Sequence, residues 1–159
     1  MTKLVLPKID RKLISKKKDI IADLKKIVKA ENVLDHEDEI RPFETDALSA
    51  YKQKPLVVIF PENTKEVSKI LQYCNQKRIK VVPRGAGTGL SGGALPLADC
   101  VLLCLGKFNR IIDIDYKNRC VVAQPGVTNL AITQAVQDKG FYYAPDPSSQ
   151  IACSIGGNV

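Results

Sequence analysis

The residues best placed to do chemistry in this chain are glycines. The run VVPRGAGTGLSGGALP at residues 81–96 holds five of the ten glycines (Gly85, Gly87, Gly89, Gly92 and Gly93) and no acid. Pro83 and Arg84 lead into it, Ala86 and Leu90 are its apolar members, and Thr88 and Ser91 set hydroxyls between the glycines. Glycine lets backbone approach a ligand closely and adopt positive φ, so several N–H groups can converge on one anion. Arginine adds a fixed fork of charged donors that suits phosphate oxygens. The run reads as a pyrophosphate cradle.

Three better-known glycine loops do not fit. No Gly-Lys-Ser/Thr closes the run, so the phosphate-gripping lysine and magnesium-binding hydroxyl of a P-loop are missing. No Val-Ala-Ile-Lys-like strand follows, as a protein-kinase loop requires. Gly87-Thr88-Gly89-Leu90-Ser91-Gly92 does match G-x-G-x-x-G, with Asp113 at about the spacing of a ribose-binding acid. That fingerprint must open a helix, and Gly93 and Pro96 leave few residues before the apolar stretch at 101–105. A parallel crossover needs a dozen or more residues, so the match is read as accidental.

Other reactive types offer less. His36 is the one histidine, set among Asp35, Glu37, Asp38 and Glu39. With no second ligand cluster it reads as part of a solvated loop, and neither a metal site nor a catalytic residue is assigned. The five cysteines (Cys74, Cys100, Cys104, Cys120 and Cys153) are odd in number and form no C-x-x-C. They read as buried reduced thiols, which suits a reducing compartment better than a disulfide scaffold.

A chain of 159 residues, 45% hydrophobic and 26% charged, is long enough for one domain with a real core. No apolar run approaches the length of a membrane span, and MTKLVLPKIDRKL does not read as a secretory signal. The net charge of +7 gathers largely between Lys8 and Lys29. Leu13, Ile14, Ile20, Ile21, Leu24, Ile27 and Val28 recur there at near-helical spacing, so residues 8–30 read as one amphipathic helix across the outside of the domain. Without interleaved aromatic residues, the lysines read as a solvated face and not as a nucleic-acid surface. A nucleic-acid binder using Lys16, Lys17, Lys18, Lys25 and Lys26 would show steep salt dependence.

The elements that must position the cradle come next. Residues 56–60 read as a buried strand, and Asn63 with Glu66 as a capping box. The helix it opens buries Val67, Ile70, Leu71 and Cys74. Residues 80–83 form a second strand that delivers the chain into the glycine run, in a β–α–β scaffold with its ligand at the carboxyl end. Residues 101–105 are a third strand, 110–115 and 120–123 a hairpin around Lys117 and Asn118. Thr128 caps a helix that Gly140 ends. Gly126 and Val127 are a strand-to-helix turn. Residues 141–159 are loop, stiffened by Pro145 and Pro147 and offering hydroxyls and glycines at close range. Surface loop and ligand contact are both open for that segment.

The glycine run resembles, almost position for position, the flavin pyrophosphate loop of FAD-linked oxidases and dehydrogenases of the vanillyl-alcohol-oxidase (PCMH) type. Within that family it is most similar to the FAD subunit of glycolate oxidase and the D-lactate dehydrogenases. The resemblance also takes in Arg41-Pro42-Phe43-Glu44-Thr45-Asp46, residues 55–61 with Glu66-Val67, and Gln124-Pro125-Gly126-Val127. It continues through Pro145-Asp146-Pro147-Ser148-Ser149 into Ser154-Ile155-Gly156-Gly157-Asn158-Val159. As a set in the family's order the motifs are specific.

The resemblance implies an α+β fold: the first subdomain of a PCMH-type FAD-binding domain, a small mixed sheet with flanking helices, plus the start of the second. Residues 1–34 would be the basic helix, and 35–159 the N-terminal portion of the FAD-binding domain. It implies FAD as cofactor, met by residues 83–93, Gly126, Val127, Pro145, Asp146, Ser148, Ser149, Cys153, Ser154, Gly156, Gly157, Asn158 and Val159. Asp46 and Tyr51 would position the chain that leads into the fold. Covalent members carry histidine where Thr88 stands, so the FAD here would be non-covalent. The substrate-binding and catalytic residues belong to later parts of the family's chain, so no catalytic residue is assigned. Implied partners are a second polypeptide carrying the remaining domains and a separate iron–sulfur subunit. The expected location is cytoplasmic, or peripheral at the inner membrane face. A reading from another class stays open: a small basic nucleotide- or anion-binding module with no redox role.

Overall fold

The computed structural model describes residues 7–159, so the first residues of the 1–34 segment, and with them the signal reading, lie outside the described part. The basic segment is two helices, α1 (Arg11–Ser15) and α2 (Lys17–Leu24), not one. The break falls at Lys16, whose φ of −96° and ψ of 11° leave the helical region. Asp10 caps α1 through its side chain. The backbone N–H of Asp10 also donates to the buried Asp99 carboxylate at 2.7 Å. Burial raises the Asp99 pKa, but the Lys80 ammonium 2.8 Å away and that N–H outweigh it and hold the carboxyl below its ordinary value.

Four strands form the main sheet: β1 (Val33–Leu34), β2 (Val57–Ile59), β3 (Lys80–Arg84) and β4 (Cys100–Cys104), in the order β1-β2-β4-β3. β2 and β3 both run parallel to β4, while β1 pairs antiparallel with β2. The short β1, helix α3 (Glu37–Ile40) and the 3-10 turns beside them stand around His36, where the sequence reads as a solvated loop. Strand alternation divides the core. Val57, Ile59, Val101 and Leu103 face α2 and helix α4 (Thr64–Lys77), meeting Ile20, Ile21, Leu24, Val28, Ile70 and Cys74. Val58, Leu102 and Cys104 face the other way, against Ile40, Phe43 and Phe60. The basic helix is therefore a layer of the core. Its lysines look outward or pair locally, Lys25 with Asp35, Lys26 with Asp23 and Lys29 with Glu62.

α4 starts as its sequence dictates: the Asn63 side chain accepts the Glu66 N–H at 3.0 Å. The Glu66 carboxylate reaches back one residue further than a capping box requires, to the N–H of Glu62 at 2.7 Å. β3 and β4 are parallel neighbours despite the helix-free connection. Residues 85–99 make the crossover themselves, which corrects the view that too few residues remain for one.

A second, two-stranded sheet follows: β5 (Ile111–Asp115) and β6 (Cys120–Ala123), with a register shift between Ile111 and Asp113. Asp115 accepts the Asn118 N–H at 2.9 Å, and Arg119 takes φ 56° to close the turn. α5 (Asn129–Val136) is capped by Thr128. The tail ends in a single helical turn, α6 (Ile155–Asn158), where loop was expected. Cys74, Cys100, Cys104 and Cys153 are buried free thiols, whereas Cys120 is exposed at the hairpin edge, against expectation. Burial pushes Cys74 and Cys100 up to about 11 and Cys104 up to about 12.

Candidate functional site

β3 releases the chain at the carboxyl end of the sheet, and the glycine run bends back to meet the tail. Between them lies a cleft of about 380 Å³. From the run it is lined by Pro83, Gly85, Ala86, Gly87, Thr88, Gly89, Leu90, Ser91 and Gly93, with Ala94, which the sequence reading omits. From the tail come Ser149, Ser154, Gly157 and Asn158. No acidic or basic side chain lines it.

Its chemistry therefore lies in backbone and hydroxyls. None of the N–H groups of residues 85–94 donates to an acceptor on another described residue. Backbone donors left unpaired in a row need water or a ligand, and a concave run of them is an anion site. Gly87 and Gly92, both at φ 74°, turn the run where side-chain-bearing residues are strained. Glycine at 85 answers a closer constraint, since a Cβ there would stand 2.1 Å from the Ser154 hydroxyl oxygen. Loop and tail touch at that point.

Arg84 sits differently from the fork its chemistry suggests. Its guanidinium is buried, donating to the carbonyls of Phe43 (3.2 Å) and Thr45 (2.7 Å) and lying 5.8 Å from the Phe43 ring centroid. It packs beneath Gly87, where a Cβ would come within 2.4 Å of a guanidinium nitrogen. It pins residues 43–45 under the loop, off the cleft wall. Gly92 is likewise a turn residue outside the lining.

Gly126 and Val127 lie away from the cleft. Gly126 donates to the Phe108 carbonyl at 2.7 Å, and a Cβ there would stand 2.5 Å from the Leu105 carbonyl oxygen. Val127 is buried and accepts the Ile155 N–H. Gly156 packs on Pro125, donating to its carbonyl at 2.9 Å. Pro145, Asp146, Ser148, Cys153 and Val159 are also off the cleft, and Pro145 and Cys153 hold the tail. That role runs through Asn129, fully buried and not singled out by sequence. Its amide donates to the Pro145 carbonyl at 2.8 Å and its N–H to the Cys153 carbonyl at 3.1 Å, while its side-chain oxygen accepts from Asn158 at 3.3 Å. Sequence offered only its place after a helix cap, which marks many exposed residues as well. His36 stands at the start of α3, outside the cleft. Among the described residues no group of three or more His, Cys, Asp or Glu could hold a metal, and no helix is long and apolar enough to cross a membrane.

A larger groove of about 550 Å³ opens between the hairpin, α5 and the tail, which borders it through Ile155 and Val159 and also walls the cleft. Ile114, Val121, Ile132, Val136 and Phe141–Ala144 line it in an apolar band, with Tyr142 74% exposed.

The family described as FAD binding domain matches residues 55–159. The glycolate oxidase subunit GlcD of Escherichia coli is 51% identical over 97% of this chain and 30% of its own length. The mitochondrial D-2-hydroxyglutarate dehydrogenase of Arabidopsis thaliana is 34% identical over 87% of this chain and 25% of its own. Among solved structures, 4-ethylphenol oxidase from Gulosibacter chungangensis superposes with a TM-score of 0.79 at 27% identity, over 97% of this chain and 30% of that one. The chain thus spans under a third of the length of these relatives.

Proposed function

Because the chain belongs to the FAD binding domain family, we propose that it is the N-terminal, FAD-holding portion of a flavin-dependent oxidoreductase of 2-hydroxy acids, of glycolate or D-lactate type. The observation that carries this is the row of unpaired N–H groups at residues 85–94 around a cleft with no acid. A pyrophosphate brings negative charge and acceptor oxygens to such a row at no cost in repulsion. Thr88, Ser91, Ser149 and Ser154 add hydroxyls, and Asn158 an amide. With threonine at position 88 that loop residue offers no nitrogen for a flavin bond, so the cofactor is held non-covalently. Bound FAD supplies the two-electron acceptor for oxidising the hydroxyl-bearing carbon.

The substrate class follows from relatives whose names specify glycolate and D-2-hydroxyglutarate. Oxidising such an acid also requires a base for the hydroxyl proton. The cleft has no His, Asp, Glu or Lys to provide one. This portion therefore binds the cofactor without turning over, and further polypeptide completes the site. The apolar groove with exposed Tyr142 supports that part of the reading, as a face still to be covered.

Gly89→Asp tests the binding claim. A Cβ at Gly89 meets nothing within 4 Å, and its φ is not positive, so the fold tolerates the change while the cleft gains a carboxylate. The purified chain is titrated with FAD, following flavin fluorescence. Micromolar binding by the wild type, weakened at least tenfold in the variant, is expected. Absence of wild-type binding overturns the reading. Equal affinity for ADP and FAD would instead favour the simple nucleotide-binding module.

A further inference from the structure

One buried carboxyl group lies outside the cleft and is not part of its lining. Asp46 is 5% exposed, and its Oδ2 is sealed from solvent with no hydrogen-bond partner among the described residues. Its other oxygen accepts the Leu48 N–H at 3.0 Å, which folds residues 46–48 into a tight turn. That turn touches both inflections of the glycine run. The neighbouring Ala47 N–H donates to the Gly87 carbonyl at 2.9 Å, and Leu48 Cδ2 lies 3.7 Å from where a Gly92 Cβ would stand. On its other side, Thr45 is tied to Arg84. The turn is the floor of the arc 87–92, and its carboxylate has one acceptor to spare.

The arc above has the complementary surplus. Its N–H groups lack partners, and the two positive-φ glycines reverse the direction of successive peptides. Consecutive N–H groups so arranged do not all face one ligand. Those turned from the cleft need an acceptor once a cofactor and its protein contacts exclude water. We propose that Asp46 is a positioning residue for the flavin loop: its free Oδ2 takes a hydrogen bond from a donor of residues 87–92 when FAD is bound. Charge-assisted bonds from backbone N–H to carboxylate are among the stronger ones available, and a buried oxygen without a donor is destabilising until it finds one. The inference rests on the FAD reading above.

Asp46→Asn separates this from the alternatives, because they predict opposite signs. Asparagine keeps an oxygen for Leu48 but replaces the free acceptor by a neutral donor. If Asp46 acted only through its charge, removing a negative group near a pyrophosphate would tighten FAD. Positioning predicts the reverse: Kd for FAD rises about tenfold, the worth of one charge-assisted bond. The melting temperature of the free chain stays about level, because one partnerless buried group, a carboxylate oxygen, is exchanged for another, a neutral amide nitrogen. Hydrogen exchange on the loaded wild type should show an amide of residues 87–92 newly protected, and that protection missing in the variant. Unchanged or tighter binding overturns the proposal, as does a fall in free-chain stability that matches the loss of affinity. If the wild type binds no FAD, the functional reading falls and this one with it; if it binds and the variant binds alike, only this one falls. Should Asp46→Asn not fold, Asp46→Ser retains an acceptor for the turn, lacks the second oxygen and takes its place.

Discussion

In β2 and β4 every residue is buried, whereas β5 and β6 contain not one buried residue. The first pair is sandwiched between α2 with α4 on one side and the Ile40–Phe43 segment on the other. The second pair has α5 and the tail against part of one face, and leaves Ile112, Val122 and Tyr142 in solvent. One region is a finished core and the other a half-covered sheet. A two-stranded sheet is marginal alone, so this half takes its order from the junction with the finished one. The cleft straddles that junction: its loop wall grows from the finished sheet and its tail wall from the other.

The contrast is broken most directly by mutation at matched positions. Leu102, fully buried at the centre of β4 between Val58 and Val82, should lose about 2–5 kcal/mol of stability as Leu102→Ala. Val122→Ala, at a residue 51% exposed on β6, should stay within about 0.5 kcal/mol. Urea unfolding midpoints measure both. Comparable losses would mean that the hairpin is anchored in the core as firmly as the main sheet.

The finished half is also the legible one. Apolar runs at 56–60 and 101–105 and the Asn63 cap marked strand and helix because local pattern and burial agree there. The glycine run also stands out in sequence, since only backbone donors make sense of so many glycines. The carbonyl partners of Arg84 were not legible, because guanidinium chemistry suits a phosphate and a pair of carbonyls equally, and only three-dimensional proximity to Phe43 and Thr45 reveals them. Gly126 and Gly156 show the same ambiguity. A glycine that admits a ligand and one that admits a neighbouring carbonyl or proline ring read alike in sequence. Asn129 was beyond reach for a related reason: a buried polar group is recognised by its partners, and Pro145 lies 16 residues away. Asp46 entered through the family resemblance alone, which does not tell of its burial.

The junction itself is sharpened at Gly126. An added methyl group would press on the carbonyl oxygens of Leu105 and Phe108, which are backbone and cannot rotate aside. Gly126→Ala should cost about 1–3 kcal/mol, as overpacking does. The loss should fall on coupling between the regions: hydrogen exchange in β5, β6 and α5 should quicken more than in β2 and β4. Uniform quickening would mean that the two regions open as one unit.

The smallest effect concerns the polar tie on the finished side, and pH isolates it. Glu62 lies just after β2 and receives Lys29 from the end of the basic segment, Asn32 from the turn before β1, and Lys107 from the connection to the hairpin. The Lys29 ammonium, then the Asn32 amide and the Lys107 ammonium, hold its carboxyl at about 2, below the ordinary 4.5. A carboxylate whose folded pKa is depressed contributes stability above its unfolded pKa and loses it as pH falls through the folded value. The Glu62 contribution should therefore be complete above about pH 4.5 and gone just below about pH 2. Glu62 is partly open to solvent, so the effect is modest and screened by salt. Glu62→Gln should melt slightly below the wild type at neutral pH, with the difference closing to nothing near pH 2. Asp23, Glu37, Asp99 and Asp115, also depressed, are common to both proteins and cancel in the comparison. A melting-temperature gap that persisted at pH 2 would assign the loss to packing of the Glu62 stem and remove the ion-pair tie from the account.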